Sequence, residues 1–195
     1  MIVLGIDPGT NSSGWVLYDT EGVSDDFIVD AGDDDNDDVL KMIQRQSSDR
    51  NFYDHMAIEE MEGMGFAVGK TVFETAIWIG RFIQAWRTVT DEVETRIRRG
   101  DEKIVICGRK TFVNPKTGRP KSIGDGQIKA AILEMYPQVG GGSVPAVGTK
   151  KQPGPLYKLR GKNHAWQALS VVITYLSLEL DKHSGGRSEG RSEGN

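Results

Sequence analysis

A short apolar run at the N-terminus ends in an aspartate and a turn. The run from Ile2 to Asp7 is rich in β-branched residues, and Pro8 with Gly9 stops it. Two more strand candidates, Gly14 to Tyr18 and Phe27 to Val29, follow at short intervals. The sequence therefore predicts a buried first strand that opens an antiparallel meander.

Strand and helix patterns alternate in the rest of the chain. A strand is predicted to end in carboxylates at Glu59, a long helix covers Val72 to Trp86, and Lys103 to Cys107 is predicted as a central strand. A last helix carries apolar residues from Ala165 to Leu176 on one side. Other predicted segments are a loop or helix entry over 30–38, a helix over 39–46, a basic loop over 109–124, a helix over 128–135 and a long loop over 139–162. This order predicts an α/β fold in which helices flank a mixed β-sheet.

The length of 195 residues suits one domain, which we place at residues 1–180. Residues 181–195 are predicted to form a disordered low-complexity tail, because they repeat Gly-Arg-Ser-Glu and offer nothing to bury. Cys107 is the only cysteine, which excludes a disulfide framework and a multi-cysteine zinc site. Since no apolar run reaches the ~18 residues of a membrane span and the N-terminus lacks a basic leader, we expect a cytoplasmic protein without a membrane partner.

Charge is distributed unevenly, although the net charge is only −4. Residues 19–62 contain 15 acidic and 3 basic residues, whereas residues 96–162 contain 15 basic and 4 acidic residues. A concentrated basic segment is typical of proteins that bind nucleic-acid phosphates. A solvated loop face without a partner is the alternative that charge alone leaves open.

Three side chains stand where chemistry could be placed. Asp7 ends a buried strand before a glycine turn, which suits a ligand of Mg²⁺ and equally suits an aspartate that caps its own turn. Glu59 also ends a predicted strand, and strand alternation directs Glu60 to the opposite face. His164 lies in the first turn of the predicted last helix, at the rim of the core. Taken alone, each of these residues also has an ordinary structural explanation.

The order of several motifs resembles a known family. The motifs are GIDPGTNSSGW, a strand ending IEE, a glycine-rich stretch, a helix containing IGRF, and a last helix opening HAWQAL. Together they resemble the RuvC-type Holliday-junction resolvases, and the segments GKTVFETAIWIGRF and PGPLYKLRGKNHAWQALSVVITY resemble the phage-encoded branch. The resemblance covers residues 1–180 and implies an RNase H-like fold.

The resemblance further implies a metal-dependent endonuclease that cuts branched DNA, with Holliday junctions as the main substrate and flaps and forks as others. It implies Asp7, Glu59 and His164 as catalytic residues and ligands of Mg²⁺ or Mn²⁺. Cellular members of the family carry a further aspartate on the last helix, where this chain has Gln167, a neutral amide that adds no charge.

Two rival functions are compatible with parts of this pattern. Gln167 keeps open a branched-DNA-binding relative of the resolvases whose catalysis is impaired. An actin-like ATPase or a sugar kinase also begins with an aspartate and a glycine turn. We exclude these enzymes, because 195 residues cannot hold their two lobes and no second phosphate-loop motif is present.

Contacts to DNA are predicted in the basic segment and just before the last helix. The candidate residues are Phe66, Lys110, Lys116, Arg119, Lys121, Lys129, Lys158, Arg160 and Lys162. Phe66 is included because an aromatic ring can stack on an unpaired base. The acidic stretch 30–38 is predicted to lie away from the DNA, since like charges repel.

A homodimer is also implied by the resemblance, and a four-way junction, with its near two-fold symmetry, needs two symmetric cuts. The predicted interface is the helix from Val72 to Trp86, because it is apolar around more of its circumference than one core stripe requires.

Overall fold

The computed structural model describes residues 1–22, 27–45, 53–62 and 69–185 of the chain. The strands of these ranges are β1 (Ile2–Asp7), β2 (Ser12–Asp19), β3 (Ile28–Asp35), β4 (His55–Glu60), β5 (Thr95–Arg98), β6 (Thr111–Val113) and β7 (Pro120–Ser122). The helices are α1 (Asn36–Gln44), α2 (Lys70–Val89), α3 (Arg99–Cys107), α4 (Asp125–Met135) and α5 (Ala165–Gly185), and a single 3₁₀ turn covers Tyr157–Leu159.

Five strands form one mixed sheet in the order β3-β2-β1-β4-β5. The pairs β1–β2 and β2–β3 are antiparallel, whereas β1–β4 and β4–β5 are parallel. Helices pack on both faces, so the predicted α/β fold with a mixed sheet flanked by helices is confirmed. Asp7 pairs with Gly14 of β2, and Ile6 pairs with Ile58 of β4. The C-terminal ends of β1 and β4 therefore lie side by side at one edge of the sheet.

The apolar core is divided by the sheet into two clusters. Leu4 and Ile6 of β1 are buried with Phe82 of α2 on one face. Val3 belongs to the other cluster, where it is buried with Leu169 of α5. This division follows from the alternation of side chains along a strand, and it explains why β1 is apolar at almost every position.

Helix α5 lies directly against the backbone of β1 and β2 at two glycines. A Cβ atom on Gly5 would lie 2.6 Å from the carbonyl oxygen of Ala168. A Cβ atom on Gly14 would collide with the carbonyl group of His164 and lie 2.6 Å from the amide nitrogen of Ala165. Gly14 pairs with Asp7. Because neither glycine carries a side chain, the start of α5 can lie next to Asp7.

Two segments differ from the sequence prediction. Residues Lys103 to Cys107 form part of α3 and not a central strand. Five apolar residues do not distinguish a buried strand from a helix, whereas Asp101 and Glu102 in the preceding turn favour a helix N-terminus. The stretch 30–38, predicted as a loop or helix entry, contains the larger part of β3 and the start of α1. Since β3 is an edge strand, several of its carboxylates remain in contact with water.

Two further boundaries are corrected. The basic loop predicted over 109–124 contains the β6–β7 hairpin, whose turn has Gly118 in the left-handed region with φ of 66°. Helix α5 continues to Gly185, so residues 181–185 are helical and not part of a tail, and residues 186–195 lie outside the described ranges. Among the helices of those ranges, none combines the length and the apolar character that a bilayer span requires.

Candidate active site

The edge of the sheet where β1 and β4 end carries the three side chains that the sequence predicts as a site. Asp7 is the last residue of β1, Glu59 lies one residue before the end of β4, and His164 directly precedes α5. Nδ1 of His164 lies 3.2 Å from Oδ2 of Asp7, within hydrogen-bond distance. Glu59 is a further neighbour of Asp7, close enough for the charge of Asp7 to help raise the pKa of Glu59. The structure thus brings together residues that lie far apart in the sequence.

Asp33, from the acidic edge strand β3, fixes the segment that carries His164. Its Oδ2 atom accepts hydrogen bonds from the backbone amides of Asn163 and His164, at 2.6 Å and 3.2 Å. Its Oδ1 atom accepts a third bond, of 2.7 Å, from the amide of Ala165. These amides belong to the N-terminal end of α5, where they have no partner within the helix. Asp33 is therefore a helix cap that was missed because it stands 131 residues before His164.

We expect Asp33→Ala to lower the stability of the protein by about 1 kcal/mol, the usual cost of losing a capping side chain. The same change should reduce any activity that depends on His164, because the imidazole loses the anchor that holds it beside Asp7. Thermal melting and cleavage assays measure the two effects. The matched control is Asp37→Ala, since Asp37 is exposed and forms a 3.7 Å ion pair with Arg81, away from α5. Equal behaviour of the two variants would contradict the anchoring role.

The two adjacent glutamates of β4 have different surroundings, as strand alternation predicts. Glu60 faces Arg96 and Arg98, with N–O distances of 3.7 Å and 4.0 Å. Glu59 points to the candidate site, and burial raises its pKa, with the negative charges of Glu102 and Asp7 adding to the effect. A crowded and largely buried carboxyl group of this kind gains stability from a proton or from another cation placed beside it.

His164 is the most open member of the group, with 52% of its side chain exposed. Its hydrogen bond to Asp7 raises the pKa of the imidazole, and the charges of Asp7 and Asp33 act in the same direction, against the opposing effect of burial. The carbonyl oxygen of His164 accepts hydrogen bonds from the amides of Gln167 and Ala168. His164 therefore occupies the N-cap position of α5 and is not a member of its first turn.

Glu102 of α3 was not predicted from the sequence, yet it is fully buried beside this site. Its Oε2 atom accepts a hydrogen bond of 2.7 Å from Nη1 of Arg99 and another from the hydroxyl of Ser170. Among the described residues its Oε1 atom has no hydrogen-bond partner. Burial raises the pKa of Glu102, which agrees with a carboxyl group that is only partly compensated. The available signal was the acidic pair before the apolar run, which marks a helix start.

Arg99 connects the carboxylates of the site to α4 and α5. Its Nη1 atom lies 3.6 Å from Oε2 of Glu59, in addition to its bond with Glu102. Its Nη2 atom donates a hydrogen bond of 2.7 Å to Oε1 of Gln167 and another to Asp125. Gln167 is therefore held by a guanidinium group.

Comparison with known proteins identifies the architecture. No protein-family model matches the chain, and neither does any curated protein. The RuvC of T. thermophilus in complex with a Holliday junction substrate matches with a TM-score of 0.57 and 14% identity, over 93% of this chain and 96% of that chain. A second RuvC structure, from Thermus thermophilus, matches with a TM-score of 0.52 and 15% identity, over 93% and 97%. This chain has a RuvC-like fold.

Most of the predicted DNA-binding cations are exposed on the RuvC-like fold. Lys110, Lys116, Arg119 and Lys121 lie in or beside the β6–β7 hairpin with their side chains open to solvent. Lys129 and Arg160 line one cavity of about 390 Å³ next to the start of α5. The ammonium group of Lys129 lies 4.2 Å above the ring of Trp166.

Two predicted contacts are occupied by structural bonds. Nζ of Lys158 donates a hydrogen bond of 2.5 Å to the carbonyl oxygen of Ile28. Nζ of Lys162 donates to the carbonyl oxygens of Ala31 and Lys158. Both lysines are half-buried and tie the segment before α5 to β3, and their contact with DNA stays a prediction. Phe66 lies outside the described residues.

The acidic stretch 30–38 is not uniformly distant from the site. Asp33 contacts the N-terminal end of α5, whereas Asp37 and Asp38 are exposed at the start of α1.

Within residues 1–22, 27–45, 53–62 and 69–185, no group of three or more His, Cys, Asp or Glu side chains is arranged as a ready-made metal site. The carboxylates here are arranged around Arg99 and around one another.

Proposed function

We propose that this protein is a metal-dependent endonuclease that cuts branched DNA, with Holliday junctions as the main substrate and flaps and forks as further ones. The observation that carries the proposal is the contact between Asp7 and His164 beside Glu59, at the end of a buried strand in a RuvC-like fold. The setting we propose is the cytoplasm of a phage-infected cell. The solved relative with a Holliday junction substrate supports the choice of DNA.

The donor groups present fit a divalent metal by their chemistry. Asp7 and Glu59 offer hard carboxylate oxygens, and His164 offers an imidazole nitrogen, a set compatible with Mg²⁺ or Mn²⁺. The raised pKa of Glu59 arises from burial and from the nearby charges of Glu102 and Asp7. A divalent cation beside these carboxylates would relieve the repulsion between them. We therefore propose Asp7, Glu59 and His164 as the residues that hold it.

The chain's own residues define how such a site would act. Asp7 is fixed by β1, and His164 orients the Asp7 carboxylate through the 3.2 Å contact. Because the pKa of Glu59 is raised, a proton and a cation compete for its carboxylate. A divalent metal held by these residues would activate a water and would stabilise the charge on the phosphate that is cut.

The decisive experiment compares a synthetic four-way junction with a linear duplex of the same sequence. The purified protein is incubated with each DNA in Mg²⁺, in Mn²⁺ and in EDTA. We expect cleavage of the junction only when the metal is present, with little cutting of the duplex. Cleavage that persists in EDTA, or equal cutting of both DNAs, would contradict the proposal.

A second candidate function is a branched-DNA-binding protein with impaired catalysis. Gln167 favours it, because its amide oxygen faces Arg99 and adds no negative charge to the site. This protein would bind the four-way junction in the same experiment but would leave it intact in both metals.

DNA binding is assigned mainly to the hairpin cations Lys116, Arg119 and Lys121. They are exposed on β7 and on the turn that precedes it. Each alanine substitution should weaken junction binding modestly and reduce the log–log salt slope by about 1, since each neutralised phosphate contributes roughly −0.9.

Fluorescence anisotropy across a salt series measures this slope. Lys41→Ala is a suitable control, because Lys41 lies on α1 and forms a 2.8 Å ion pair with Asp38. A slope that the hairpin substitutions leave unchanged would remove the hairpin from the binding surface.

The proposed homodimer uses the N-terminal half of α2. Phe73 and Ile77 are each 61% exposed, which is unusual for large apolar side chains on a helix. Ile77 also lines a groove of about 480 Å³ together with Leu40 and Gly80, between α1 and α2. An isologous contact through this face would bring two active sites into one particle, as two symmetric cuts in a junction require.

We expect the double variant Phe73→Glu and Ile77→Glu to be monomeric and folded, whereas the unmodified protein is dimeric at micromolar concentration. Sedimentation velocity measures the difference. Val93→Glu is the matched control, because Val93 is equally exposed but lies in the segment between α2 and β5. A monomeric wild-type protein, both free and bound to a junction, would exclude the dimer.

A further inference from the structure

The guanidinium group of Arg99 occupies the side of the candidate site that faces α4 and α5. It lies 2.7 Å from Oε2 of Glu102, 3.6 Å from Oε2 of Glu59 and 2.7 Å from Oε1 of Gln167, and it also bonds to Asp125. Only 18% of the Arg99 side chain is exposed. An arginine with so many polar partners at such low exposure is a fixed part of the site and not a passing surface contact.

Two of these partners are carboxylates that need a positive charge beside them. Glu102 is fully buried, and an uncompensated charge at such a position is costly. Glu59 is largely buried and adjoins both Glu102 and Asp7. Arg99 contacts Glu59 and Glu102 through the same Nη1 atom, so a single group partly neutralises the pair.

Gln167 completes this arrangement from α5. It stands one helical turn after His164, and its amide oxygen accepts a hydrogen bond from Nη2 of Arg99. A carboxylate at this position would pair with Arg99 and draw its charge away from the two glutamates. A neutral amide holds the guanidinium in place and leaves its charge directed to Glu59 and Glu102.

Many enzymes that cleave phosphodiesters place two metal ions about 3.5–4 Å apart, one on each side of the phosphate. We infer that Arg99 is a built-in cation that takes the place of one of them, so that each protomer binds a single divalent metal, on the Asp7 and His164 side. This inference rests on the proposed function. Unlike a metal ion, the guanidinium is always charged and cannot dissociate.

The test counts bound metal and does not depend on cleavage. The full-length wild-type protein is titrated with Mn²⁺ alone, and the bound ions are counted by electron paramagnetic resonance and by calorimetry. We expect one Mn²⁺ per protomer. Two bound ions would overturn the inference and leave the proposed function standing, whereas no bound ion would overturn the metal-dependent function itself and the inference with it.

Two variants of Gln167 separate the role of Arg99 from that of the helix position. Gln167→Asp alone should still bind one Mn²⁺, because the new carboxylate pairs with Arg99. The double variant Gln167→Asp and Arg99→Met should bind two, since a carboxylate is added and the competing cation is removed. If the double variant binds one ion and is folded, Arg99 does not exclude a second ion and the inference is wrong.

Stability has to be controlled, because loss of Arg99 leaves Glu102 without its cation and can unfold the protein. The count on the wild-type protein decides the inference even if the double variant fails to fold. Arg96→Met is the matched control, since Arg96 is an arginine of the adjacent strand that pairs with Glu60 and Glu94 instead. It should leave the count at one.

Discussion

Asp7→Asn is expected to abolish cleavage of a four-way junction while the protein remains folded and still binds the DNA. The amide keeps the volume of the carboxylate but removes its charge, together with the charge–imidazole contact to His164 at 3.2 Å. Loss of several kcal/mol of transition-state stabilisation corresponds to a rate at least about a thousandfold lower, at ~1.4 kcal/mol per factor of ten. Single-turnover kinetics measure the rate, and anisotropy measures binding.

The matched control for this experiment is Asp19→Asn. Asp19 also ends a strand, but it pairs with Ile2 at the opposite end of β1 from Asp7. This variant should cut the junction at the wild-type rate. If Asp7→Asn also retains normal cleavage, then the assigned site is not the catalytic one, whatever the fold.

Glu59→Gln is expected to have two opposite effects, loss of cleavage and a gain in stability at alkaline pH. Burial and the charges of Glu102 and Asp7 raise the pKa of Glu59. Above the ordinary glutamate pKa of about 4.3, the folded protein therefore retains a proton that the unfolded chain has lost. The free energy of unfolding falls as the pH rises through this interval, and the stabilising contribution is lost once the raised pKa is passed. An amide cannot ionise, so the variant avoids this loss.

Melting curves between pH 5 and pH 9 in EDTA test this prediction. The wild-type protein should lose stability toward pH 9, and Glu59→Gln should lose less. A difference of ~1 kcal/mol corresponds to about 2–4 °C in a protein of this size. Glu60→Gln is the control, because Glu60 faces Arg96 and Arg98 and should not flatten the pH profile. A Glu59→Gln variant that melts below the wild type at pH 9 would contradict the assignment.

The carboxylates of the candidate site can be predicted from the sequence, because each of them ends a local apolar pattern. Asp7 and Glu59 each lie at the end of an apolar strand, and parallel strands place such residues at one edge. Nothing local distinguishes His164 from a polar residue at the rim of a core, and only the resemblance of the last helix singled it out. The roles of Asp33 and Arg99 could not be predicted, because tertiary packing brings the groups that they bind from distant parts of the sequence.

The one strand that was predicted in place of a helix has an equally specific physical cause. The run from Lys103 to Cys107 has the apolar content of a strand, and its helical state is set by the helix start at Arg99 and by packing against α5. Lys158 and Lys162 count as positive charge in the sequence, but their ammonium groups are bonded to backbone carbonyls of β3. Net charge therefore locates a basic segment without showing which of its cations are free.

The close packing of α5 against Gly5 and Gly14 also determines when the site can form during folding. Asp7 lies in the first strand and His164 lies 157 residues later, so their contact carries one of the largest loop-closure costs in the chain. A ribosome-bound fragment that ends before His164 can pair its first strands but lacks the histidine that contacts Asp7. Any activity that requires both residues therefore depends on the docking of α5, which follows the synthesis of all five strands of the sheet.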